Sequence, residues 1–93
     1  MTTFVLTYDL NKDETSEDYK ELIDELKRLK AHKYQYSAWL INLSNTAKEV
    51  HDHFKSFMDK DDSLWVSELT KKNHYSGAKS GTNQWLKDNP PER

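Results

Sequence analysis

One carboxylate stands out for its place in the chain. Asp9 closes the apolar run Thr3-Phe4-Val5-Leu6-Thr7-Tyr8, and the polar stretch Asn11-Lys12-Asp13-Glu14 follows two residues later. An aspartate where a strand meets its loop can hold a divalent cation. Mg²⁺ asks for about six oxygens, so Asp13 or Glu14, water, and a second copy of the chain would have to add to it. The structural alternative is that Asp9 caps the loop by accepting backbone N–H groups. The four histidines offer less. His51 and His53 are two apart on a helix and diverge by about 200°, so they cannot share a metal. No His-Glu-x-x-His pattern occurs, and His32 and His74 read as isolated surface residues. Ser37 has neither a Gly-x-Ser-x-Gly elbow nor a histidine beside it.

A second group could meet phosphate. Lys27, Arg28, Lys30 and Lys33 gather where a helix should end. They would contact a nucleic-acid backbone or complement the helix dipole and stay solvated. Tyr8, Tyr36, Trp39 and Trp65 could stack on bases, although aromatics on a sheet more often fill a core or an interface. The formal net charge of −2 lacks the basic surplus of a general nucleic-acid binder. Any contact must therefore be local or shared with a partner.

The elements that position these groups follow from periodicity. Residues 3–10 alternate as a strand with apolar groups on both faces, which reads as a central strand covered on two sides. Ser16 caps a helix whose apolar stripe is Tyr19, Leu22, Ile23, Leu26 and Leu29, with Asp24 placed to pair with Arg28. Residues 34–43 are extended and again apolar on both faces. Ser44 or Asn45 caps a second helix with the stripe Ala47, Val50, Phe54, Phe57 and Met58. Ser63 to Leu69 is extended, and a short helical segment around Ala78 to Lys87 docks through Trp85 and Leu86.

Ninety-three residues make one domain, expected over 1–88 with a frayed tail at 89–93. The fold class is α+β. A ferredoxin-like βαββαβ sandwich fits if residues 34–43 bend into two strands, with an antiparallel sheet, two helices on one face and the short helical segment added. One helical layer covers one face only, so a second copy of the chain is the simplest cover for the other. With no cysteine, no disulfide or thiolate ligand enters. No membrane-length apolar run or signal-peptide pattern is present, and the expected location is the cytoplasm.

Tyr8-Asp9-Leu10 after the first strand, Gln35-Tyr36-Ser37-Ala38-Trp39, and Asp61-Asp62-Ser63-Leu64-Trp65-Val66, separated by two amphipathic helices, resemble the Cas-two family. These are the small ferredoxin-fold proteins of CRISPR adaptation, and the virulence-associated protein D group is related. The likeness runs from Thr3 to about Leu69. It implies a homodimer in which two Asp9 carboxylates face each other and hold Mg²⁺ or another divalent cation for hydrolysis of RNA or DNA. Ser37 and Trp39 would then lie at the dimer interface. The family also implies the alternative role of a non-catalytic dimeric scaffold that binds DNA or a protein. Lys33 and Tyr34 stand where the family usually has arginine, Trp39 replaces its usual Phe, and the segment from Lys71 does not match. A free-standing, Cas-two-like protein is the expectation.

Overall fold

The structure is a computed structural model and describes residues 1–13 and 15–93. Among the described residues the order is β1 (Thr2–Asp9), α1 (Lys20–Arg28), β2 (His32–Gln35), β3 (Ala38–Leu43), α2 (Ala47–Lys55), β4 (Ser63–Glu68) and α3 (Thr82–Asp88). The strands form one antiparallel sheet in the order β2-β3-β1-β4. The extended stretch at 34–43 is thus a hairpin, turned at Tyr36 and Ser37. Among the described residues no helix is long and apolar enough to cross a membrane.

Alternation along β1 sends Phe4, Leu6 and Tyr8 to one face, where they meet Leu22 and Leu26 of α1, Val50 and Phe54 of α2, and Trp39 and Ile41 of β3. Burying each such side chain stabilises the fold by about 1.5–3 kcal/mol. Local rules set the helix ends. Ser16 Oγ accepts from Asp18 N at 3.3 Å and opens a 3-10 turn over Glu17–Tyr19 that leads into α1. At the other end Lys30 N donates to Lys27 O and Ala31 N to Leu26 O, with Lys30 at φ 61°. This is a Schellman closure with lysine in the left-handed position that glycine usually takes.

Three expectations change. The cap of α2 is Thr46 rather than Ser44 or Asn45. Its Oγ1 accepts from Glu49 N at 3.2 Å while Glu49 Oε1 accepts from Thr46 N at 2.9 Å, and only Thr46 has a glutamate three residues on to complete this box. Arg28 pairs with Glu25, while Asp24 accepts from Lys20 Nζ at 2.7 Å. The third change is the largest. The second sheet face needs no twin over β2, β3 and the start of β1, because the chain's own segment from Leu69 to Asn89 crosses it. Lys79 N donates to Tyr34 O at 2.9 Å, and Trp85 Nε1 donates to Lys30 O at 3.0 Å. Thr3 Oγ1 donates to Asn89 O at 2.9 Å. Val5, Tyr34, Leu40, Leu69, Thr82 and Leu86 line the apolar space beneath. Within residues 89–93, Glu92 meets the Met1 ammonium at 2.8 Å and Arg93 O accepts from Lys71 N.

Candidate functional site

Asp9 ends β1 opposite Ser63 and is exposed. With Thr7, Tyr8, Ser63, Leu64 and Trp65 it borders a shallow depression of about 240 Å³. The oxygens expected to help it are not aimed there. Asp13 Oδ1 accepts from Thr15 N at 2.9 Å and from Thr15 Oγ1 at 2.7 Å. Those bonds hold the Asp13 carboxyl below its ordinary value and turn it into its own loop. Glu14 lies outside the described residues. Among the described residues no three His, Asp or Glu side chains converge on one point. Asp9 is the carboxylate among the described residues that line this depression.

The carboxylate that organises this end of the sheet is Asp62, at the head of the run Asp62-Ser63-Leu64-Trp65-Val66. It is 5% exposed. Asp62 Oδ1 accepts from Asn11 N at 2.8 Å and Oδ2 from Asp59 N at 2.8 Å. The Tyr19 hydroxyl lies 3.0 Å from Asp62 Oδ1 and 2.6 Å from Asn11 Oδ1, sharing its proton between them. Burial opposes ionisation of Asp62, but the Asn11 and Asp59 N–H groups outweigh it and the carboxyl stays below its usual range. Asp62 thus joins the loop after Asp9, the start of α1 and the entry to β4. Asp59, Asp61 and Asp62 look alike in the sequence; only the facing loop distinguishes them.

The basic group divides. Lys27 and Lys33 line one groove of about 420 Å³ between α1 and the β2 edge, together with Lys20, Thr15, Ser16, Glu17, Ile23 and Trp39. Lys33 Nζ sits 5.2 Å from the centre of the Tyr36 ring and 5.9 Å from that of Trp39. Tyr36 is 68% exposed, so an open aromatic face stands beside the lysines. Arg28 belongs elsewhere. Its Nε and Nη2 donate to Glu25 at 2.6 and 2.8 Å, and His53 Nε2 is 2.6 Å from the same carboxylate. Arg28, then His53, hold the Glu25 carboxyl down to about 2, and the trio clasps α1 to α2. Lys30 closes α1.

Trp39 is largely buried within the subunit and reaches the groove between α1 and β2. It is 4% exposed, and its Nε1 donates to Tyr8 Oη at 2.9 Å. An indole whose one donor needs a partner finds it in the core. Ser37 is a turn residue at φ 59°, and its carbonyl accepts from Tyr8 N at 3.1 Å. Set against models of known protein families, the chain matches none of them.

Proposed function

We infer that this is a ferredoxin-like, Cas-two-like module that binds single-stranded nucleic acid in the cytoplasm through the groove between α1 and β2. The element order βαββαβ and the strand order β2-β3-β1-β4 support the ferredoxin-like assignment. One observation carries the binding reading: Lys20, Lys27 and Lys33 share a groove whose floor is Trp39 and whose neighbour is the exposed Tyr36 ring. Ammonium groups track phosphates, and an open phenol ring stacks on a base without regard to its identity. Lys20 already meets Asp24, and Lys33 lies over the Tyr36 ring. With a net charge of −2, affinity is confined to this groove and falls steeply with salt.

Fluorescence anisotropy with a labelled oligonucleotide of mixed sequence, as RNA and as DNA, tests this across a salt series. Lys27→Ala with Lys33→Ala should weaken binding at least about tenfold and flatten the log–log salt slope by about 1–2. Tyr36→Ala should weaken binding without changing that slope. Binding unaltered in both variants would refute the groove.

Hydrolysis is the second reading, favoured by one observation: Asp9 is exposed at the end of a central strand. It requires Asp9 from two subunits around one cation. Mg²⁺-dependent cleavage abolished in Asp9→Ala, with circular dichroism unchanged, would support it. Cleavage that persists in the variant removes Asp9 from any such chemistry.

A further inference from the structure

The face of the sheet away from α1 and α2 keeps a void. Between that face and residues 69–89 lies a cavity of about 160 Å³, walled by Val5, Leu40, Leu69 and Leu86 with the Tyr34 and Tyr75 rings. Its apolar wall is unfinished. Val5, Tyr34, Leu69 and Leu86 stay half-buried, whereas Leu6 and Leu22 on the helix side are closed to solvent. Among the described residues no Asp, Glu, Lys or Arg borders the cavity, so nothing there would neutralise an ionised guest.

Most polar groups of the wall are already occupied. Thr82 Oγ1 donates to Lys79 O at 2.7 Å and accepts from His32 Nε2 at 2.7 Å. Asn73 Nδ2 donates to Thr70 O at 2.6 Å, and the Tyr75 hydroxyl donates to Asn83 Oδ1. His74 stands at the exposed rim, in water. The Tyr34 hydroxyl, on a half-buried ring, has no hydrogen-bond partner among the described residues. Burial pushes its pKa above the ordinary 10.0, so it stays protonated and can donate or accept. Neither tyrosine ring stacks on another ring among the described residues.

We propose that this cavity takes a neutral, single-ring aromatic molecule carrying one hydroxyl, a phenol, whose oxygen meets Tyr34 Oη. The volume suits one ring, since an apolar cavity of about 150 Å³ stays dry and admits benzene. Tyr34 and Tyr75 offer it offset or edge-on ring contact, and Val5, Leu40 and Leu86 offer apolar surface. A bare hydrocarbon ring would leave the Tyr34 hydroxyl without a partner, and a carboxylate would be buried without a counter-charge. Lys79 N donates to Tyr34 O at 2.9 Å beside the site, so occupancy ties the crossing segment down. The site is independent of the lysine groove. Val5 pairs with Leu40 on this face, whereas Lys33 pairs with Trp39 on the other.

Titrations of the ¹⁵N-labelled chain with phenol, benzene and benzoate, followed by amide chemical shifts, test this. Phenol should shift the Val5, Leu40 and Leu86 amides with a dissociation constant of about 0.1–1 mM, and should slow exchange of the Lys79 amide. Benzene should bind about 3- to 10-fold more weakly, and benzoate at least about 30-fold more weakly. Tyr34→Phe should bring phenol to within about twofold of benzene. Val5→Phe fills the void and should abolish phenol binding; if its circular dichroism departs from the wild type, Leu86→Phe fills it from α3 instead. Any one of four results would overturn the proposal: no shifts at about 10 mM phenol, shifts centred away from the cavity, benzoate bound as tightly as phenol, or unchanged phenol affinity in a folded, filled variant. A preference for phenol that survives Tyr34→Phe would overturn it equally.

Discussion

The two edges of the sheet are finished differently. At β2 the pairing with β3 slips between Lys33 and Gln35, and the Lys79 N–H occupies the Tyr34 carbonyl. Trp85 lies over His32 with ring centroids 6.5 Å apart and anchors on Lys30 O. A bulge, a lysine and a crossing segment therefore close this edge to any other strand. At β4 no bulge, lysine or crossing segment is present among the described residues; its one charged residue, Glu68, lies 3.5 Å from Arg93 Nη1. A sheet of four strands has two edges to protect, and this chain spends its C-terminal quarter on one of them.

The firmest way to break the contrast is at the entry to β4. Asp62→Ala leaves the Asn11 and Asp59 N–H groups and the Tyr19 hydroxyl without their acceptor. Stability in urea should fall by about 2–4 kcal/mol. A loss under 1 kcal/mol would mean that water replaces the carboxylate and that β4 is anchored otherwise. Next comes the covered edge. Trp85→Ala removes the bond to Lys30 O and the stack on His32, and should cost about 2 kcal/mol. It should also speed exchange of the Lys79 amide, while β4 amides keep their wild-type rates at low protein concentration. Equal acceleration at both edges would show that they are not independent.

The smallest effect is a pH dependence confined to the covered edge. Burial lowers the pKa of His32 from its ordinary 6.5. Its Nε2 lies 2.7 Å from Thr82 Oγ1, whose own proton goes to Lys79 O at 2.7 Å. Nε2 must therefore be the donor, in the neutral ring as in the charged one. Because the folded state resists the proton more than the unfolded chain does, the stabilisation is complete above pH 6.5 and declines as pH falls below it. The thermal midpoint should drop between pH 7 and 5 by more in the wild type than in His32→Gln. A wild-type midpoint flat over that range would remove His32 from the account.

Periodicity made the helix-facing half legible: Leu22, Leu26, Val50 and Phe54 recur at helical spacing, and Phe4, Leu6 and Tyr8 alternate. The short helix docking through Trp85 and Leu86 was legible, but not the face it covers. Its place is set by Lys79 N–H, Thr82 Oγ1 and the Asn89 carbonyl, groups that carry no hydrophobic signal, so the apolar faces of β1 and β3 suggested a twin instead. Linear spacing also grouped four basic residues that the fold separates. Lys30 is taken by the left-handed turn and Arg28 by Glu25, while Lys27 and Lys33 line one groove. Asp9 was visible because it closes an apolar run; Asp62 was hidden because two of its partners, Asn11 and Tyr19, lie 51 and 43 residues away in sequence.

The three indoles inherit three surroundings from this arrangement: Trp39 sealed at 4% exposure, Trp85 half covered against His32, and Trp65 bare at 70%. The chain thus carries its own optical reporters. An aqueous quencher such as iodide should reach the reddest emission first, so the exposed indole can be told from the sealed one by light alone.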